Sequence, residues 1–402
     1  DYLFDYTQPT WDHDLSISGG NEKFNYLVSG NHYTKEGLYA QNTDKYTTNN
    51  LNMKFGAQVK PWLSINGAAR LFHSNYRSPG YDFEDGGNIP NYTFHAMPFV
   101  TPYNPDGSSV YTTEVTGSAP ADGMAAAVTQ GKAFSQLKQT QYTTTIGGVI
   151  TPLKGWSIVG TFSYKRYHRE KSFRSANITY SDAYGEMKTA TTGFFNDKLR
   201  ENSAVEEHYT YDLYTTYERS INRHNFKILA GMNHETYRYK LVYGAKSSLQ
   251  SDYLNDLNLG TGVAEASGGQ SRWALLGFFG RGTYDYAGKY LAEVNFRWDG
   301  SSRFPKHDRW GFFPSVALGW RISEENFMEP VRKVIDNVKL RASIGSLGNQ
   351  AIADSYPYIQ SLSPSLSTSY LMNGNKIYIT GLGAPQSGDL TWETIITKNL
   401  GL

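Results

Sequence analysis

The stretch Tyr290–Gln350 reads YLAEVNFRWDGSSRFPKHDRWGFFPSVALGWRISEENFM and, resuming at Val338, VKLRASIGSLGNQ. In Leu291–Asp299 the even positions Ala292, Val294, Phe296 and Trp298 are apolar, and Glu293, Asn295, Arg297 and Asp299 between them are polar or charged. Val316, Leu318 and Trp320 alternate with Ser315, Ala317, Gly319 and Arg321, and Val338, Leu340, Ala342 and Ile344 alternate with Lys339, Arg341, Ser343 and Gly345. A period of two with one apolar face is the strand pattern. Repeated from strand to strand, it suits a sheet that meets lipid on one side and a wet interior on the other.

Working outward, the same alternation recurs at Leu51, Met53, Phe55, Ala57 and Val59, and at Val205, Tyr209, Tyr211, Leu213 and Tyr217. The pattern predicts strands over 12–19, 23–32, 48–59, 62–73, 139–150, 156–168, 205–218, 225–239, 273–285 and 290–299. Two more bracket 323–337, which is read as a possible helical turn, and a further strand begins near Thr391. Connections alternate between short turns and long loops, the long ones near 74–138, 169–204, 240–272 and 347–392. The fold class expected is all-β: a transmembrane antiparallel β-barrel over 1–402 with short periplasmic turns and long extracellular loops. A soluble β-sandwich also alternates, but its loops carry no one-sided length bias and its strands are shorter. No repeat of fixed period points to a propeller or a solenoid.

Composition agrees. Aromatics make up 15% of the 402 residues, with 31 Tyr, 20 Phe and 8 Trp, a balance suited to surfaces wet at one end and apolar at the other. Mean hydropathy is negative, as it is when half of every strand faces a polar lumen. No apolar run is long enough for a transmembrane helix. A net charge of +1 gives no nucleic-acid footprint, and the absence of Cys removes disulfides and thiolate metal sites. The nine His show no metal spacing. Neither G-x-S-x-G, H-E-x-x-H nor a P-loop occurs, since His234-Glu235 is followed by Thr236, Tyr237 and Arg238. No catalytic residue, cofactor or metal is therefore expected.

Two kinds of residue stand out as candidates. Tyr81, Asp82, Glu84, Asp85, Asn88, Asn91 and Tyr92 interleave rings with carboxylates and amides deep in the longest loop, as a sugar or a peptide backbone would need. A solvated loop and a Ca²⁺ site from Asp82, Glu84 and Asp85 are the alternatives there. Glu293, Arg297, Lys339 and Arg341 are expected to face the lumen and keep it wet. The segment Asp299–Phe304 reads as a rim turn with local ion pairing, and the aromatics of Arg309–Phe313 as an interfacial girdle.

The motifs RWDGSSRF (Arg297–Phe304), RWGFFPSVALGWRISEE (Arg309–Glu325) and LRASIGSLGNQ (Leu340–Gln350) closely resemble the SusC/RagA family of TonB-dependent outer-membrane transporters. The resemblance extends over HDLSISGGNEKFNYLVSGNHYTKEGLY (His13–Tyr39), PYNPDGS (Pro102–Ser108) and LTWETIITKNLGL (Leu390–Leu402). It implies a multi-pass barrel of about 22 strands in the bacterial outer membrane, of which this chain would carry about 13. The chain opens at Asp1 and closes at Leu402 inside an apparent strand, so it reads as a fragment lacking the plug, the TonB box and any signal. Further implied are active import, a SusD-like surface lipoprotein as lid, TonB acting through the plug, and oligosaccharide cargo. Oligopeptide cargo is the alternative, and a passive porin or an outer-membrane enzyme lies further off.

Overall fold

Apolar residues that would make a core in a soluble protein lie here on the outside of a single curved sheet. The computed structural model describes residues 4–79, 103–109, 129–181, 185–190, 196–331, 334–352, 356–383 and 388–402. Its strands are β1 (Thr10–Gly20), β2 (Phe24–Glu36), β3 (Lys45–Lys60), β4 (Leu63–Pro79), β5 (Phe134–Leu153) and β6 (Trp156–Ser175). A small hairpin β7 (Ile178–Ser181) and β8 (Met187–Ala190) precedes β9 (Lys198–Ile221), β10 (His224–Ser247), β11 (Glu265–Tyr286), β12 (Tyr290–Ser301), β13 (Trp310–Arg321) and β14 (Lys339–Asn349). A second hairpin, β15 (Leu362–Met372) and β16 (Asn375–Leu382), comes before β17 (Glu393–Gly401). Thirteen of these form one antiparallel sheet in chain order, and the two hairpins stand outside it as sheets of their own.

The register fixes the faces. Leu15, Gly30, Leu51 and Leu71 lie in one cross-strand row, and Ile17, Val28, Met53 and Ala69 in the next. Further along, Phe278, Trp298 and Phe312 share a row, as do Val294, Val316 and Ile344. Directly opposed residues point to the same side. One apolar face therefore runs unbroken from β1 to β14, and its side chains are exposed: Ile17 58%, Leu213 51% and Leu318 58%. Burial of this face falls to lipid, as in an outer-membrane barrel. Glycines make room where the outward rings are largest. A Cβ on Gly67 would run into the Phe55 ring and one on Gly280 into the Phe296 ring, each ring on the strand opposite.

All thirteen strands of the sheet coincide with those the alternation predicts, but they run longer, up to the 24 residues of β9 and of β10. The expected loops at 169–204 and 240–272 shrink accordingly, and β7–β8 and β15–β16 fill parts of the loops at 169–204 and 347–392. Above the lipid nothing requires one face to stay apolar, so periodicity fades while the ladder continues. In Glu265–Ser271, EASGGQS, the strand persists with no apolar face at all.

A buried core does exist, at the long-loop end, where loops fold over the wall and make a second layer. Phe134, Phe173, Ile178, Leu199 and Ala245 are nearly inaccessible there. Arg174 is fully buried among them and pairs with Asp197, whose Oδ2 also accepts from the Leu249 amide at 2.6 Å. Lys132 pairs with Asp252 at 2.8 Å, and Gln130 bonds both ways with the Thr179 backbone.

At the short-turn end the 322–337 segment contains the expected helical turn as two 3₁₀ pieces, Ile322–Glu324 and Asn326–Val331. Glu325 accepts from Tyr290 Oη (2.7 Å), Trp320 Nε1 (3.1 Å) and Lys289 Nζ (3.1 Å), tying this segment to the β11–β12 turn. The Tyr290 hydroxyl first, then Trp320 and Lys289, hold its carboxyl below the ordinary glutamate value. A depressed folded value stabilises above the unfolded pKa, and that contribution is lost as pH falls through the folded one. Wild type is thus expected to outlast Glu325→Gln in heat-modifiability assays at about pH 7, with the gap closing below the usual carboxylate range of about pH 4. A gap that stays constant on acidification would remove the ionised Glu325 from this role.

Candidate functional site

The inner face of the sheet carries the polar half of every alternation, and its rows can be followed strand by strand. One row runs Ser29, Asn52, Arg70, Thr143, Lys165, His208, Tyr237 and Trp273 from β2 to β11. Its last three members form a ladder of rings. His208 and Tyr237 lie 4.7 Å apart, and Tyr237 stacks on Trp273 at 5.7 Å and 25°. The Arg303 guanidinium covers Trp273 at 5.3 Å, and His208 Nδ1 lies 3.8 Å from Glu235. These rings sit in the upper half of the wall, thirteen residues from the short turn along β10 and along β11 (224 to 237, 286 to 273). Stacked rings edged by ionic groups present a flat surface for an apolar ring or chain, with hydrogen-bonding groups at its border.

Arg303 belongs to the Asp299–Phe304 segment. Arg297 grips Asp299 with Nε at 2.9 Å and Nη2 at 2.7 Å, and Asp299 is only 7% exposed. Ser302 exchanges two hydrogen bonds of 2.9 Å with the Ala274 backbone, and Arg303 Nη1 donates to the Ile352 carbonyl at 2.8 Å. Phe304, 1% exposed, packs on Trp392, which also meets Phe313 and donates to the Arg309 carbonyl at 2.9 Å. The segment is therefore a rim turn with local ion pairing, as the sequence suggests, but a buried one. It anchors the ring ladder rather than projecting into solvent.

Lower down, a hollow of about 1440 Å³ opens on the lumen side near the short turns. Glu218, Lys227, Asp285, Glu293, Lys339 and Arg341 all line it. The carboxylates there are engaged: Glu218 with Lys227 at 3.4 Å, Glu293 with Arg281 at 2.6 Å, Asp285 with Asn225 at 2.7 Å. Lys339 and Arg341 are exposed and make no ion pair among the described residues. Of the four lumen-facing residues named from sequence, the structure thus brings Glu293, Lys339 and Arg341 to one cavity. Arg297 lies higher, in the rim pair with Asp299.

Tyr81, Asp82, Glu84, Asp85, Asn88, Asn91 and Tyr92 all lie outside the described residues. The Tyr237–Trp273 ladder is absent from the sequence reading. Its signal was available, because both rings sit at polar parity, on the face opposite the lipid. Of the Arg309–Phe313 aromatics expected as a girdle, Trp310 and Phe312 stay exposed on the outer face, Trp310 clustering with Phe278 and Trp298 at ring centroids 4.7–6.3 Å apart, whereas Phe313 has the inward parity of Arg297 and is buried against Trp392.

The family model described as TonB dependent receptor-like, beta-barrel matches residues 74–402. TonB-dependent receptor SusC of Bacteroides thetaiotaomicron is 34% identical over 196 residues, 48% of this chain and 19% of its own. TonB-dependent receptor P3 of Formosa agariphila is 25% identical over 393 residues, 96% of this chain and 37% of its own. Among solved structures, the RagAB peptide transporter shares the fold with a TM-score of 0.75 at 19% identity, over 99% of this chain and 42% of that one. The chain spans less than half the length of each of these relatives.

Proposed function

The chain belongs to the TonB-dependent receptor-like β-barrel family and is an outer-membrane barrel chain; from that premise we propose that it serves the active import of oligosaccharides. The observation that carries this reading is the wall itself, apolar outside and polar inside, with a ladder of half-buried rings on its lumen face. Sugar rings present apolar faces to aromatic planes and hydroxyls to the groups around them, and His208, Tyr237, Trp273 and Arg303 supply both. The work is binding and gated passage, without bond chemistry. A SusD-like lipoprotein closes the outer mouth, and TonB draws on a plug seated in the lumen. Lys339 and Arg341 offer that plug two cations in the lower hollow. The loop residues Tyr81, Asp82, Glu84, Asp85, Asn88, Asn91 and Tyr92 join the contacts with cargo.

Oligopeptides are the second reading, since Arg303 and Glu235 beside the rings also suit charged chain termini. A gene deletion assayed over defined oligosaccharides and oligopeptides decides between them. Uptake of one glycan class is expected to vanish, and to vanish equally when the proton gradient is collapsed. Trp273→Ala should lower uptake of that glycan by roughly three- to tenfold, the worth of one stacked ring. Unchanged glycan uptake with loss of peptide uptake would transfer the proposal to peptides, and gradient-independent uptake would make the barrel a porin.

A further inference from the structure

On the outward face, the row directly above the apolar band departs from the pattern below it. Ile146, Phe162, Tyr211, His234 and Leu276 form one row, and Thr144, Tyr164, Tyr209, Thr236 and Ala274 the next toward the long loops. Rings at this level mark the boundary between hydrocarbon and headgroups. The following row is Tyr142, Arg166, Glu207, Arg238 and Arg272, with Lys240 one step higher. Arg238, Lys240 and Arg272 are exposed. Arg238 and Arg272 are directly opposed across β10 and β11, an arrangement of like charges that destabilises a sheet unless an anion lies between them. Glu207 supplies a single carboxylate, and it accepts from Tyr164 Oη at 3.0 Å. Among the described residues Arg166, Arg238, Lys240 and Arg272 make no ion pair.

Three arginines beside one carboxylate therefore face outward about 5 Å beyond the interfacial rings along their strands, and Lys240 about 10 Å beyond, given two and four residues of rise on a tilted strand. That is headgroup depth on the long-loop side of the membrane. Guanidinium groups match phosphate oxygens in pairs, and a shared phosphate would relieve the Arg238–Arg272 repulsion. We propose that this patch binds the phosphorylated sugar headgroup of a glycolipid of the outer leaflet, with the acyl chains lying along Phe162, Tyr211 and Leu276. The inference rests on the outer-membrane placement of the chain and not on its cargo, so loss of the import proposal leaves it standing.

The test is binding of a purified bis-phosphorylated glycolipid to the folded protein in nanodiscs, read by native mass spectrometry, beside the same lipid stripped of phosphate. Wild type is expected to prefer the phosphorylated form by about a hundredfold, and R166Q/R238Q/R272Q to lose that preference. Mobility of the unboiled protein on gels reports that the variant is folded. If it is not, the wild-type comparison of the two lipids still decides. Equal binding of both lipids to wild type, or full retention of preference in the folded variant, overturns the proposal.

Discussion

Phe296→Arg is expected to cost the folded barrel about 2–4 kcal/mol, the penalty for a cation on the lipid face near mid-membrane. Phe296 lies six residues from the short turn on β12 (290 to 296), about 15 Å up a strand tilted at roughly 40°. Its ring is 42% exposed on the outward face, 6.2 Å from Phe312, and seated over Gly280 of the neighbouring strand. The guanidinium would find no acceptor among the side chains of Val294, Trp298 and Pro314 around it. Phe296→Leu keeps the site apolar and should cost far less. Urea titration of both variants in lipid vesicles separates the effects. Equal midpoints for Phe296→Arg and Phe296→Leu would place this face in the lumen and reverse the assignment of sides.

Asp197→Ala should be at least as damaging, about 3–5 kcal/mol, because it takes from a fully buried Arg174 the carboxylate it is paired with and leaves it the weaker attraction of Asp252. The loss is local to the long-loop end, where Asp197 also accepts from the Leu249 amide. Hydrogen exchange should rise at 173–178 and 248–251 while the middles of β9 and β10 stay protected. Removing both charges, as in Arg174→Met with Asp197→Leu, is expected to restore most of the stability, since a packed apolar pair replaces a desolvated ionic one. If the single variant matches wild type in protection, the pair is peripheral to the loop core.

Both predictions turn on features of unequal visibility in the sequence. Position 296 announced itself, because lipid demands an apolar residue at every second position and the demand is written as Val294, Phe296, Trp298. Where lipid ends, the demand ends too. The pattern therefore stopped at Asp299, Val205 and Tyr239, although the strands continue to Ser301, begin at Lys198 and reach Ser247. Arg174 and Asp197, 23 residues apart, meet only because β6 and β9 are paired and their ends folded over, which no local signal encodes. Trp392 is similar, reaching back to Phe304 and Phe313 across most of a loop. The β15–β16 hairpin could have been found. Its tip is Asn373-Gly374, both at positive φ, a dipeptide that favours a two-residue hairpin turn. The ring ladder required knowing the faces first, since Tyr237 and Trp273 matter for being aromatic where the alternation calls for polar.

The order of the sheet has one more consequence. Each strand pairs with its predecessor in the chain, and where extra strands occur, at β7–β8 and β15–β16, they bud from the wall as closed hairpins and rejoin it in phase. The wall is thus indifferent to how much chain passes between an outgoing strand and the returning one. Whole segments above the membrane can be lengthened, shortened or exchanged without shifting a single cross-strand partner below. Such a scaffold lets its outer surface diverge rapidly while the membrane-embedded part stays in register, and loops grafted from a relative onto this wall should fold in place.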